Sequence, residues 1–94
     1  MSNSFQTAAV SWFDEAGNLH IRVYSSDGYK VTEMCLDGPG GWFAGSFNQP
    51  GDHVSATCWQ QNGYHVRVYC SFEGKCVEWS LDEGVGWTKG KYPG

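Results

Sequence analysis

Two stretches of the chain alternate apolar and polar residues with a period of two. In Asn18 to Ser25, Leu19, Ile21 and Val23 alternate with His20, Arg22 and Tyr24, and in Tyr64 to Cys70 the same phase is held by Val66 and Val68. Period two is the signature of a strand with two different faces. Asp27-Gly28 is a two-residue hairpin signal, and the returning strand Tyr29 to Cys35 sets Val31, Glu33 and Cys35 on one face. The later stretch turns at Phe72-Glu73-Gly74. Further strands are predicted around Ala8 to Phe13 and His53 to Trp59, with short ones near Trp42 to Phe47 and Trp87 to Tyr92. No segment of useful length has helical apolar spacing, and 13 glycines interrupt the candidates, so no helix is predicted.

The alternation belongs to an internal repeat. His20 matches His65, Arg22 matches Arg67, Val23-Tyr24 matches Val68-Tyr69 and Glu33 matches Glu78, all at an offset of 45. The same offset relates Leu36-Asp37 to Leu81-Asp82, Gly41-Trp42 to Gly86-Trp87 and Gly45 to Gly90, while Trp12 and Trp59 match at 47 because the first unit has a longer loop. The chain thus reads as one domain, 1–94, with repeat one about 7–50 and repeat two about 51–94, joined at Asn48 to Asp52. Four antiparallel strands in a unit of this length make one propeller blade, so the predicted fold is all-β. Two blades cannot close a ring and leave faces and edges bare, so self-association is expected.

With a two-residue loop at Asp27-Gly28, Arg22 falls directly across the hairpin from Glu33, and Arg67 and Glu78 repeat the pair. A guanidinium beside a carboxylate can hydrogen-bond vicinal hydroxyls in bidentate fashion, which is sugar-binding chemistry. The bland reading is a cross-strand ion pair on a solvated face. Repetition of the pair beside Trp42 and Trp87, each following a glycine-rich turn, favours binding, because indole rings stack on the apolar face of a hexose. Trp12 and Trp59 read as core residues between blades. Leu36 and Leu81 read equally as core or as apolar walls against a ligand methyl group. Asp37 and Asp82 read as turn caps without a ligand role. His20 and His65 share the arginine face but lack neighbours at metal-ligand spacing, so no metal site is expected.

Composition narrows the classes. Aromatic residues make up 16% of the chain and charged residues only 17%, which points to aromatic contact surfaces. The net charge is −4, and six Lys and Arg read as scattered along the sequence, so neither nucleic acid nor an anionic membrane is an expected partner. No apolar run approaches membrane-spanning length. Met1 to Gln6 is polar apart from Phe5 and shows no signal peptide, which leaves the cytoplasm or release by a non-classical route. Cys35, Cys58, Cys70 and Cys76 are then expected as free thiols, and no disulfide is read between Cys70 and Cys76.

The segments His20-Ile-Arg-Val-Tyr24, Val31-Thr-Glu-Met-Cys-Leu-Asp-Gly38, Gly41-Trp-Phe-Ala and Gly51-Asp-His-Val-Ser-Ala-Thr-Cys-Trp59 resemble the repeat of Aleuria-type fucose-binding lectins, over roughly residues 6–92. The resemblance is closest to short two-repeat bacterial members. It implies a homotrimer in which two blades per chain close a six-bladed β-propeller, with sugar sites between adjacent blades. By motif, Arg22, Glu33, Trp87, Leu81 and the backbone of Ser46 form an intrachain fucose site. Arg67, Glu78 and the backbone of Lys91, with Trp42 and Leu36 from a neighbouring copy, form an interchain one. Leu36 and Leu81 stand where the short relatives commonly carry tryptophan, and both glycine corners are longer, by Pro39 and by Val85.

The implied function is multivalent recognition of L-fucose and fucosylated oligosaccharides without catalysis, cofactor or metal. A purely structural or protein-interaction propeller is the alternative. A glycosidase is the weaker one, since each site offers one Glu beside an Arg that keeps it ionised.

Overall fold

The protein is described by a computed structural model covering residues 5–94; Met1 to Ser4, part of the segment read for an export signal, lie outside the described residues. The described residues contain eight strands and no helix: β1 (Gln6–Phe13), β2 (Leu19–Ser26), β3 (Lys30–Asp37), β4 (Phe43–Pro50), β5 (His53–Gln60), β6 (Tyr64–Phe72), β7 (Lys75–Asp82) and β8 (Gly86–Lys89). They form two four-stranded antiparallel sheets, β1-β2-β3-β4 and β5-β6-β7-β8, each in simple sequence order. The predicted joining segment shrinks to Gly51-Asp52, because Asn48, Gln49 and Pro50 complete β4.

Each sheet has two unlike faces. Val10, Trp12, Tyr24, Val31, Glu33 and Cys35 share one face of the first sheet and are buried. Against them lies the aliphatic face of the second sheet, with Val54, Val66, Val68 and Cys70. Tyr24, Val31, Val66 and Val68 keep 0% exposure, so the core sits between the sheets. Gly51 allows this approach: a Cβ there would fall 2.8 Å from Val31 Cγ2 and 3.1 Å from Cys70 Cβ. At the edges, the Gln6 carboxamide pairs both backbone groups of Val54, donating from Nε2 to the carbonyl at 2.8 Å and accepting the N–H through Oε1. It satisfies a stretch of the β5 edge that no strand covers.

The hairpin register differs from the sequence reading. The first chain reversal falls at Gly28-Tyr29, one residue later than expected, closed by the Asp27 N–H donating to the Lys30 carbonyl at 3.1 Å. Asp27 Oδ1 accepts from the N–H groups of Tyr29 and Lys30, both at 2.9 Å, and Gly28 takes the left-handed φ of 100° that the turn requires. Glu33 consequently pairs with Tyr24, and Arg22 pairs with Cys35. The second hairpin turns at Glu73-Gly74, with φ of 52° and 80°, and pairs Tyr69 with Glu78 and Arg67 with Ser80. Arginine and glutamate are thus one pair out of step in both units. A slip of two residues preserves the face, so each Arg still stands on the side of its Glu. Cys70 faces Val77 and Cys76 faces Ser71, which puts the two thiols on opposite faces.

The core placement predicts a contrast. Val66→Ala should cost roughly 2 kcal/mol, read as a lower urea midpoint, whereas Glu15→Ala in the exposed β1–β2 turn should stay within about 0.5 kcal/mol. Equal losses would contradict the packing described.

Candidate functional site

A bulge in the third strand pairing builds the first candidate site. Thr32 pairs with Asn48 and Met34 with Ala44, so Glu33 alone stands opposite Gly45, Ser46 and Phe47. Glycine at position 45 lets the carboxylate lie against the backbone, because a Cβ there would displace the Glu33 carboxylate. Glu33 is only 5% exposed; its Oε1 receives the Phe47 N–H at 3.5 Å, and its Oε2 lacks a hydrogen bond of good geometry. The neighbouring Tyr24 hydroxyl is buried too, within hydrogen-bonding influence of the Glu33 carboxylate although the pair makes no bond of good geometry. Burial first, and then the Glu33 charge, push the Tyr24 phenol far above its ordinary value, so it is a neutral donor.

The second sheet supplies the opposite wall. Trp87, cross-strand partner of Leu81, packs edge-on to Tyr24 at 6.2 Å between centroids and against Phe47 at 4.6 Å. Of the set read from sequence, Arg22 and Glu33 lie on the inner face of the first sheet, Leu81 and Trp87 on the facing side of the second, and Ser46 stands in the bulge opposite Glu33.

The second set is not brought together within one chain. Glu78 repeats the pattern of Glu33: a Cβ on Gly90 would displace its carboxylate, and the Tyr92 N–H donates to its Oε1 at 3.1 Å, flanking Lys91. Here the tyrosine is satisfied, with Tyr69 Oη donating to Glu78 Oε2 at 2.7 Å, and this bond leads in holding the carboxyl below its usual range. Arg67 and Glu78 lie on the outer face of the second sheet. Leu36 and the half-exposed Trp42, at 50%, belong to the outer face of the first.

Behind each arginine is an arrangement that the sequence reading missed. Asp37 grips Arg22 by two contacts, NH1 to Oδ1 at 2.8 Å and NH2 to Oδ2 at 3.3 Å, and takes His20 Nδ1 at 2.6 Å on the same Oδ1. Asp82 holds Arg67 through NH1 at 2.9 Å and His65 Nδ1 at 2.7 Å. Asp37 and Asp82 are therefore anchors for the arginines and histidines, not simple turn caps. Beneath them, His20 stacks on Trp12 and His65 on Trp59, with each arginine over the same indole at 5.2 and 5.0 Å. Trp12 is core, as expected, because Tyr64 of the second sheet covers it at 5.3 Å. Trp59 is 40% exposed, contrary to the core reading, since nothing in the same chain covers the equivalent face.

Both histidines are set as cations. His20 Nε2 meets Asp14 Oδ2 at 2.9 Å and His65 Nε2 meets the Gln61 carbonyl at 2.9 Å, so each ring faces acceptors from both nitrogens. Only imidazolium donates from both. Burial alone would lower the His20 pKa, but the bonds to Asp14 and Asp37 outweigh it and raise it above 6.5. For His65 the Asp82 bond leads the upward shift. Asp14 is held down to about 2, chiefly by His20.

Arg67 and Lys91, distant in sequence, line one cavity, whereas Lys89 pairs with Trp79 on the opposite face of the sheet. A cavity of about 280 Å³ is lined by Arg67, Glu78, Ser80, Asp82, Thr88, Lys89, Gly90 and Lys91. A larger one, about 420 Å³, lies between the turns at Asp14–Ala16 and Gln60–Gly63, but its lining carries carboxylates and amides with no cation to set beside them. Chemistry rather than size marks the smaller cavity as the candidate. No protein-family model and no curated protein matches the chain.

The protonation pattern fixes a pH profile. A histidine whose pKa is raised on folding stabilises the fold fully below its unfolded value near 6.5 and loses that contribution as pH rises through the raised folded value. The depressed Asp14 contributes above its unfolded value of 3.8 and loses this as pH falls to about 2. Thermal melts should therefore show highest stability between these two windows and a fall above neutrality, and His20→Gln should flatten the alkaline fall. An unchanged alkaline limb in His20→Gln would contradict the imidazolium assignment.

Proposed function

We propose that the protein is a lectin for L-fucose and fucosylated oligosaccharides, and that three copies join to close a six-bladed β-propeller. The observation that carries this reading is the buried Glu33 carboxylate beside Arg22 and the neutral Tyr24 phenol at the junction of the sheets, where Oε2 lacks a hydrogen bond of good geometry and the Trp87 ring lies edge-on to Tyr24. A buried carboxylate oxygen without a well-formed hydrogen bond is costly and calls for a donor, and sugar hydroxyls are donors that approach from an indole-covered face. In the intrachain site Arg22 and Glu33 fix hydroxyl and ring oxygens, Trp87 covers the apolar ring face, Leu81 contacts the methyl group and the Ser46 backbone assists.

The same chemistry recurs, divided, on the outer faces. Arg67, Glu78 and the Lys91 backbone stand on one side of the molecule, and Leu36 with Trp42 on the other. Docking the outer face of one second sheet on the outer face of another copy's first sheet would repeat the junction already present within the chain. Such a head-to-tail contact continues from copy to copy until the ring closes. It would also cover Trp59 with Leu19, the counterpart of Tyr64. Each site is weak on its own because a monosaccharide offers few atoms, and several sites on one assembly raise avidity on glycan-coated surfaces by ~10²-fold or more. No bond is made or broken.

Titration calorimetry with L-fucose, with a parallel mass measurement in solution, tests this. The expected result is about two sugars per chain in a trimer. Arg22→Ala and Arg67→Ala should each remove one class of site. Absence of heat at millimolar fucose would return the repeat to a purely structural role.

A further inference from the structure

The two sheets lie closest at β1 and β5 and part toward their last strands. In the wedge between them is a third cavity, about 380 Å³, whose lining includes none of the residues assigned to the two sugar sites. On the second sheet it is built by neighbours on the face turned toward the first: Cys70 pairs with Val77, Phe72 with Lys75 and Trp79 with Lys89. From the first sheet, Gln49 and Pro50 at the end of β4 close it. The wall is thus apolar and aromatic, with two exposed lysines at its margin and Glu73 as its one carboxylate. No ion pair involves either lysine among the described residues. The repeat does not reproduce this wall: at the offset of 45, Ser25, Asp27, Thr32, Met34 and Ala44 stand for Cys70, Phe72, Val77, Trp79 and Lys89.

We infer that this cavity binds a small aromatic anion, one or two fused rings bearing a carboxylate or a sulfonate, at roughly one site per chain. The volume lies near the lower end of small-molecule sites, which suits one or two rings and no more. Trp79 and Phe72 offer ring faces and edges to an aromatic body, and Cys70 and Val77 keep its surroundings dry. Two cations against one carboxylate set the sign of the charge that the open margin favours. Exposed lysines act mainly through their field, so this preference is screened by salt. The inference does not depend on the lectin reading, because the cavity shares no residue with the sugar sites.

The test titrates naphthalene-2-sulfonate, and the uncharged naphthalene-2-methanol, into the full chain by calorimetry at low and high salt, with and without saturating L-fucose. Both should bind at roughly one site per chain, the sulfonate about 2- to 5-fold tighter at low salt. That ratio should fall to about one at high salt and in Lys75→Ala/Lys89→Ala. Val77→Trp, which fills the cavity from its wall, should abolish binding of both, and Val77→Phe serves in its place if Val77→Trp fails to fold. Fucose should displace neither ligand. No heat with either ligand at millimolar concentration, equal affinities at low salt, binding that survives the filled cavity, or displacement by fucose would each overturn the inference. Binding of L-fucose itself is read in a separate titration, so failure here leaves the lectin proposal standing.

Discussion

The fold depends on the contact between two unlike faces of one repeated sheet. A repeat whose aliphatic face packs on the tyrosine-bearing face of its neighbour cannot satisfy both faces in a pair. One junction forms within the chain, around Tyr24, Val31, Val66 and Val68, and one face of each kind is left over. The buried carboxylate, the indole beside it and the bare second set all follow from that geometry.

Within this frame, polar groups are held by neighbours that the strand periodicity places on one face. The bulge opposite Glu33 and the missing Cβ at Gly45 let backbone approach a carboxylate more closely than a regular ladder permits. Asp37 and Asp82 orient each guanidinium from behind, and Trp12 and Trp59 support it from below. The arginines are thereby held in one orientation by the protein itself, which would lower the ordering cost of any contact they make.

The repeat, the strands and the shared face of Arg22 and Glu33 were legible because a period of two survives small errors. The register was not, since Asp27-Gly28 reads as the centre of a turn when Asp27 instead accepts hydrogen bonds from just outside it. That displacement of one residue moves every pairing by two, which is why the facing was right and the partners were wrong. The anchoring role of Asp37 was hidden for the same reason: with the shifted register it pairs with His20, next to Arg22. That Lys91 comes to line a cavity with Arg67 was not legible because linear spacing does not show where the chain after β8 folds back. Trp12 and Trp59 occupy matching places in sequence, and only the presence of a neighbouring sheet over one of them separates their burial.

The link between the sheets, Gly51-Asp52, has a consequence for how the molecule responds to dilution. Two sheets tied by so short a connection meet at an effective concentration in the millimolar range or above. The junction they share is therefore indifferent to how much protein is present. A junction between separate chains has no such tether and must form by collision. The junction within the chain is accordingly complete at any abundance, whereas other copies could cover the two leftover faces only as far as concentration allowed.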